Sequence, residues 1–414
     1  GEAWTAIVGA VSENAQAVLE RLGYSRGPDF ADFARKSLGA VRNRLNSAGF
    51  EVIAGLMMPF RRRNLAGLLE DDYSGSANLR VYVNAVVTSW RCGRGSSRNG
   101  RVVSVTARTR NGNEIVVEGS RFVIAAGAIE STRILLEMNE AAPQPMLRSA
   151  SSVGFCLADH LSAPIAELSL ADRSDAVKLF SPRFSGTWVR GFRFIETDPP
   201  ANAPRAFAHF VFAGLGKGFD LVKELLGALQ RRQRPHVALA TLPGSAGELI
   251  RLAWTRATKS ALYVPTDADV RLHVDVEQEP VRSNRVRLSS ERDAYGRRRI
   301  SIAWKVSDSD LARLSETARR IVARWPARKN GLPGITPIAV EASGVAPHDA
   351  YHPVGTCRMG VDSEAVVDPD LRVWGMDNLW VTSTAVLPSA GTANPTFTLL
   401  CLTHRLANHL GTSC

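Results

Sequence analysis

The spacing of apolar residues changes along the chain, and each change predicts a different kind of element. In the first fifty residues apolar side chains recur every three or four positions, as along Ile7–Leu19. This spacing predicts two amphipathic helices, separated at Gly27-Pro28. Alternation begins at Leu79–Val87, and two more alternating segments flank Asn111-Gly112-Asn113. Because Asn-Gly accepts the positive φ angles of a tight turn, the pattern predicts a strand followed by a hairpin.

A short apolar run, Phe122–Ala126, then leads into Gly127 and a segment with helical spacing that starts at Ile129. A strand, a glycine turn and a helix are therefore predicted in succession. The end of the chain repeats this arrangement, with a predicted strand at Leu379–Thr382 and a predicted helix at Pro395–His409. We expect the two strands to lie close together although they are far apart in the sequence.

The middle of the chain has the alternation of an antiparallel sheet with helices between its strands. The predicted strands are Phe207–Phe212, Arg271–Val276, Arg285–Leu288 and Arg299–Trp304, and the predicted helices are Phe219–Leu229 and Asp308–Trp325. The fold class expected is mixed α/β (α+β). One domain, residues 1–159 and 345–414, is interrupted by a second, residues 160–344, which has a mostly antiparallel sheet.

Composition narrows the classes of function. The 414 residues carry a formal charge of +11, but the arginine groups, such as Arg61–Arg63 and Arg297–Arg299, have no aromatic residues between them. Nucleic-acid binding is therefore not expected. The longest apolar runs are too short for a membrane span. The five cysteines are scattered, without zinc or redox spacing. We expect no metal, free thiols and a reducing compartment, with the cytoplasm favoured.

Two loops near the C-terminus hold the residues best suited to chemistry. His352 precedes Pro, Val, Gly and Thr, and Asn394 precedes Pro and Thr at the start of the last predicted helix. Histidine is the natural base near neutral pH, and asparagine can orient an oxygen without competing as a base. Taken singly, Asn394 would be only a helix cap and His352 a hydrogen-bonded loop residue. His160 is predicted to be structural.

Together with Ala126–Leu136, these blocks resemble the glucose–methanol–choline (GMC) oxidoreductase family from about Asn78 to the C-terminus. The resemblance implies FAD as the cofactor and a small-molecule alcohol or sugar as the substrate. It implies that His352 handles the substrate hydroxyl proton and that Asn394 faces the same spot. The residues implied to lie against the cofactor are Val86, Gly127, Ser383, Thr384, Pro395 and Thr396. The interrupted domain would then be the flavin-binding one, and residues 160–344 the substrate domain.

The chain has no Gly-x-Gly-x-x-Gly motif, with which the family binds the FAD pyrophosphate at a helix start. Gly214-x-Gly216-x-Gly218 lacks the required spacing and is predicted to be a tight turn. We expect an N-terminal segment or a partner chain to supply the missing site. Three functions stay open: oxidation of a hydroxyl, a flavin-bearing lyase on the same scaffold, and a non-catalytic subunit of a split flavoprotein.

Overall fold

The computed structural model describes residues 2–95, 99–142, 147–234, 242–326, 331–339, 347–391 and 394–412. The helices are α1 Glu2–Arg21, α2 Phe30–Leu38, α3 Ala40–Ser47, α4 Leu65–Leu68, α5 Glu70–Gly75, α6 Gly127–Ala141, α7 Leu170–Phe180, α8 Lys217–Gln230, α9 Leu242–Lys259, α10 Asp308–Arg324 and α11 Pro395–Thr412. The strands are β1 Phe50–Met57, β2 Ala85–Arg94, β3 Gly100–Thr109, β4 Glu114–Glu118, β5 Phe122–Ile124, β6 His160–Glu167, β7 Arg183–Ser185, β8 Trp188–Glu196, β9 Ala206–Ala213, β10 Asp269–Glu277, β11 Arg285–Arg292, β12 Arg298–Ala303, β13 Thr336–Pro337, β14 His348–Asp349 and β15 Leu379–Val381. None of the described helices is both long and apolar enough to cross a membrane.

The largest layer is an eight-stranded sheet. Its strands follow the order β1-β8-β9-β10-β6-β13, with β14 beside β6 and β7 beside β8. Every pairing in it is antiparallel, which confirms the mixed fold with a mostly antiparallel sheet. β1 precedes residue 160 and β14 follows residue 345, so the sheet crosses both predicted domain boundaries. The division into residues 1–159, 160–344 and 345–414 stays a prediction.

The two faces of this sheet differ in polarity. Along β10 the buried residues are Val270, Leu272, Val274 and Val276, while His273 and Asp275 project to the opposite face. The apolar face packs against α10, which begins with a capping box formed by Ser307 and Asp310. On its opposite face β10 presents polar and titratable side chains.

The smaller sheets confirm two local predictions. β3 and β4 form the expected hairpin, and Gly112 in its turn has a φ of 84°. β5 and β15 pair in parallel, with Ile124 opposite Val381, so the two distant strands do lie side by side. The predicted helices that begin near Phe219, Asp308 and Pro395 are all present, as α8, α10 and α11.

Three predictions from periodicity are wrong in detail. The N-terminal stretch forms three helices, not two, because Gly39, with a φ of 52°, separates α2 from α3. The strand predicted at Leu79–Val87 begins only at Ala85, since Asn84 has a φ of 56° and ends the extended run before it. β11 and β12 form a separate two-stranded sheet and do not join the large one.

Candidate active site

The parallel pairing of β5 with β15 brings the segments that follow these two strands to the same edge of their sheet. The chain leaves β5 toward Gly127 and leaves β15 toward Ser383. The Thr382 N–H donates to the Ile124 carbonyl at 2.8 Å, which keeps these two exits side by side. Ligands commonly bind beyond the carboxyl ends of parallel strands, where helix N-termini and loop backbone groups converge.

The loop that carries His352 is tied to this edge. Thr384 Oγ1 donates to the Pro353 carbonyl at 2.8 Å. On the other side of the loop, Val354 and Ala158 exchange two backbone hydrogen bonds of 2.9 and 3.2 Å. The loop is thus held between the Ser383–Thr384 segment and the start of the large sheet.

A buried carboxylate anchors the backbone of His352. Asp159 Oδ2 accepts the His352 N–H at 2.7 Å, while Oδ1 accepts the N–H groups of His160 at 2.6 Å and Ala350 at 3.3 Å. Burial raises the pKa of Asp159, and the backbone N–H groups oppose that rise because they stabilise the charged form. Asp159 therefore positions the histidine through its main chain, not through its ring.

The two residues singled out from the sequence meet. Nε2 of His352 lies 3.0 Å from Nδ2 of Asn394, which directly precedes α11. The Arg193 guanidinium, from β8, donates to Oδ1 of Asn394. The Asn394 side chain is therefore shared between the histidine and the arginine.

The surroundings of His352 favour its neutral form. Burial lowers the pKa of His352, positive charge at His160 and Arg193 lowers it further, and only Asp275 opposes them. The His160 and His352 rings meet edge to face, with centroids 5.7 Å apart. An imidazole with a pKa below its usual value is unprotonated at neutral pH and can accept a proton.

Comparison with known proteins finds a family match in the C-terminal part of the chain. Residues 280–403, which include His352, Ser383 and Asn394, match a C-terminal family model described as GMC oxidoreductase. This part of the chain is a GMC oxidoreductase domain. The resemblance predicted from the sequence motifs is thereby confirmed.

Full-length relatives extend the likeness. The chain is 33% identical to C-glycoside 3-oxidase of Microbacterium trichothecenolyticum over 31% of this chain and 24% of that protein. It is 25% identical to oxygen-dependent choline dehydrogenase of Klebsiella pneumoniae over 69% of this chain and 50% of that protein. The chain thus spans about half or less of the length of these relatives.

A solved structure, pyridoxine 4-oxidase from Mesorbium loti, shares the fold. Its TM-score is 0.51 at 18% identity, covering 91% of this chain and 70% of that chain.

GMC oxidoreductases generally depend on FAD, and the edge beyond β5 and β15 fits such a group. Gly127 is exposed, has a φ of 78°, and would have no atom within 4 Å of an added Cβ. Among the described residues no side-chain cap hydrogen bond is found at Ala126, so the first N–H groups of α6 could bind a polar ligand. Ser383 Oγ is buried without a hydrogen-bond partner among the described residues.

The other residues implied by the GMC resemblance divide into two groups. Pro395 and Thr396 open α11 beside Asn394, and Thr384 lies next to Ser383. Val86 lies elsewhere, in β2 opposite Arg108, within the three-stranded sheet.

One group of side chains in the candidate active site has the composition of a metal site. Asp159, His160 and His352 offer one donor atom each within 4.8 Å of one another. Their hydrogen bonds make them poor ligands as arranged, because Asp159 already accepts three N–H groups. His160 Nε2 also lies 2.7 Å from the Gly391 carbonyl and so carries its hydrogen there.

Sequence reasoning missed three residues of the candidate site. Arg193 and Asp159 lie 201 and 193 residues from the groups they contact, and His160, predicted to be structural, packs against the His352 ring. The alternation of β8 could have placed Arg193 on a polar face. No local signal could have placed it beside Asn394.

Proposed function

We propose that this chain belongs to an FAD-dependent oxidoreductase that converts an alcohol or sugar hydroxyl to a carbonyl, with His352 as the base. The observation that carries the proposal is the 3.0 Å contact between His352 Nε2 and Asn394 Nδ2. The loop that carries His352 is hydrogen-bonded to the Ser383–Thr384 segment through the Pro353 carbonyl. The relatives named above support the substrate class, because their names describe oxidases and dehydrogenases of hydroxyl compounds.

His352 is suited to take the hydroxyl proton. It is half-buried, its pKa is lowered, and Nε2 faces the amide of Asn394 and not an acid. A substrate hydroxyl within hydrogen-bond reach of both groups would replace their direct contact and lose its proton to Nε2. The Asn394 amide would stabilise the negative charge that develops on that oxygen. Asp159 would keep the base in place through the His352 main chain.

The residues at the edge beyond β5 and β15 would hold the cofactor. Gly127, Ser383 and Thr384 would contact it through their backbone, and Pro395 and Thr396 would present the start of α11. When bound, FAD would supply the acceptor for the hydride, which no side chain can provide. Val86 would contact the adenine end through its main chain.

Rapid-mixing reduction of the bound flavin by candidate alcohols and sugars tests this function. His352→Ala should keep the flavin but slow its reduction by roughly two to four orders of magnitude, the usual worth of a positioned base. Asn394→Ala should cost roughly one to three orders, because the base survives. The double variant should lose less than the sum, as members of one catalytic unit do. His409→Ala, on the exposed last turn of α11, is the control.

The outcomes separate the three functions. A parent-like rate for His352→Ala would show that the histidine is structural. Flavin that is present but never bleached by any hydroxyl compound would favour the lyase. A complete assembly, with the missing pyrophosphate-binding segment or partner chain present, that holds no flavin and takes up none would favour the non-catalytic subunit. Either of the last two results would reject the oxidoreductase.

A further inference from the structure

Arg193 is held in one orientation close to the candidate base. It lies in β8 opposite Ile53, and its guanidinium carbon is 4.3 Å from the centre of the Phe207 ring. Stacking of this kind restricts the guanidinium plane. From this position it donates to Oδ1 of Asn394.

This contact determines which way the Asn394 amide points. A guanidinium has only donors, so the amide atom facing Arg193 must be the oxygen. The amide nitrogen is then left facing His352 Nε2 at 3.0 Å. Because Nδ2 is a donor, Nε2 must be the acceptor and carry a lone pair. In the neutral ring the hydrogen is therefore on Nδ1.

No other contact described for the His352 ring sets this tautomer. Nδ1 is buried and has no hydrogen-bond partner among the described residues. Asp159 uses the main-chain N–H of His352, and His160 directs its Nε2 to the Gly391 carbonyl. In many sites a carboxylate on the far ring nitrogen holds a histidine tautomer. Here the constraint comes from the Nε2 side.

We propose that Arg193 is a positioning residue that, by fixing the Asn394 amide, keeps Nε2 of His352 unprotonated and free to accept a proton. The proposal rests on the function proposed above only for its purpose, since the tautomer can be measured without turnover. Without Arg193 the amide could turn and present Oδ1 to the ring. An Nε2–H tautomer would then be stabilised, and that tautomer cannot take a proton from a substrate at Nε2.

Charge acts in the same direction as orientation. The charged and titratable groups that face the His352 ring are His160 from β6, Asp275 from β10 and Arg193 from β8. Removing the arginine leaves Asp275 less opposed, so the imidazolium becomes more stable and the pKa of His352 rises.

Nitrogen NMR of selectively ¹⁵N-histidine-labelled protein distinguishes the two tautomers, and a His352→Gln sample assigns the resonance. Arg193→Met removes donor and charge, Arg193→Gln keeps a donor, and Arg193→Lys keeps both. We expect Arg193→Met to move the Nε2 signal toward that of a protonated nitrogen and to raise the pKa of His352. Arg193→Lys should retain the parent tautomer and pKa. Arg271→Met, on the same sheet and paired with Asp269, is the control.

An unchanged Nε2 signal and pKa in Arg193→Met would overturn the proposal. If that variant does not fold, Arg193→Gln and Arg193→Lys decide. Arg193→Lys, whose ammonium has only donors, must retain the Nδ1–H tautomer and the parent pKa, and Arg193→Gln, which has lost the charge, must raise the pKa; any other combination rejects the proposal. In the flavin-loaded protein, Arg193→Met should slow reduction by roughly tenfold or more, through kcat and not KM. If the unsubstituted, flavin-loaded protein did not turn over any hydroxyl compound, the proposed function would be rejected. The NMR result on the His352 tautomer would remain valid.

Discussion

The glycine of the His352 loop offers the sharpest test of how the loop is held. Gly355 has a φ of 90°, and a Cβ added to it would lie 2.2 Å from the Cys156 carbonyl oxygen. The backbone on either side of this contact is held in place, because the neighbouring residues Val354 and Ala158 exchange two hydrogen bonds. Gly355→Ala must therefore adopt a strained φ and also push two segments apart.

The expected loss of stability can be divided into two parts. An alanine in the left-handed region costs roughly 1–2 kcal/mol. Forcing packed backbone to shift adds roughly 1–3 kcal/mol. Gly112→Ala is a matched control, because Gly112 has a φ of 84° with nothing within 4 Å of the added Cβ. Urea unfolding should show Gly355→Ala to be destabilised by both parts and Gly112→Ala by the first alone.

The same substitution should affect chemistry. A shift of the loop by a few tenths of an ångström to 1 Å displaces His352, three residues away, and should slow flavin reduction by roughly 10–100-fold. Gly112→Ala should reduce its flavin at the parent rate. Equal destabilisation of the two variants, together with a parent-like rate for Gly355→Ala, would refute the steric account.

Three further predictions follow from two buried titratable groups. Burial alone would raise the pKa of Asp275, but His209 and Ser162 outweigh it and lower that pKa to about 2. Its stabilisation is present above about pH 4 and lost as pH falls through about 2, so Asp275→Asn should cost about 2 kcal/mol in urea unfolding near pH 5, where an imidazolium partner is available, and nothing near pH 2. Asp275 raises the pKa of His352, so Asp275→Asn should lower that pKa and move the plot of flavin-reduction rate against pH to lower pH. Asp267→Asn, at an exposed position, is the control for both measurements. Burial raises the pKa of Cys357 to about 12, so iodoacetamide at pH 8 should spare it in the folded protein and modify it in urea, as mass spectrometry would show.

Much of the local structure could be predicted from the sequence. The hairpin around Gly112, the capping box at Ser307 and the strand–glycine–helix at Gly127 depend on residues close together in the chain. Such elements follow from turn chemistry and periodicity, which act over a few residues. His352 and Asn394 also lie in short blocks, but their pairing was implied by the resemblance of those blocks to the GMC family and not by turn chemistry or periodicity.

Other features depended on the tertiary structure. Leu79–Val83 alternates like a strand but pairs with no strand in the described part of the chain, and the left-handed Asn84 separates it from β2. Alternation specifies two faces, whereas a strand also needs a neighbour to accept its hydrogen bonds.

What the sequence by itself determined is therefore part of the set of local elements and, through the family resemblance, the two residues of the candidate catalytic pair. Only the tertiary structure placed Arg193 on Asn394, Asp159 on the His352 backbone and His160 against its ring. The physical reason is that these contacts join strands and loops up to 201 residues apart. Closing such distances is decided by the pairing order of the sheet and the burial of its apolar face, and no local pattern encodes either.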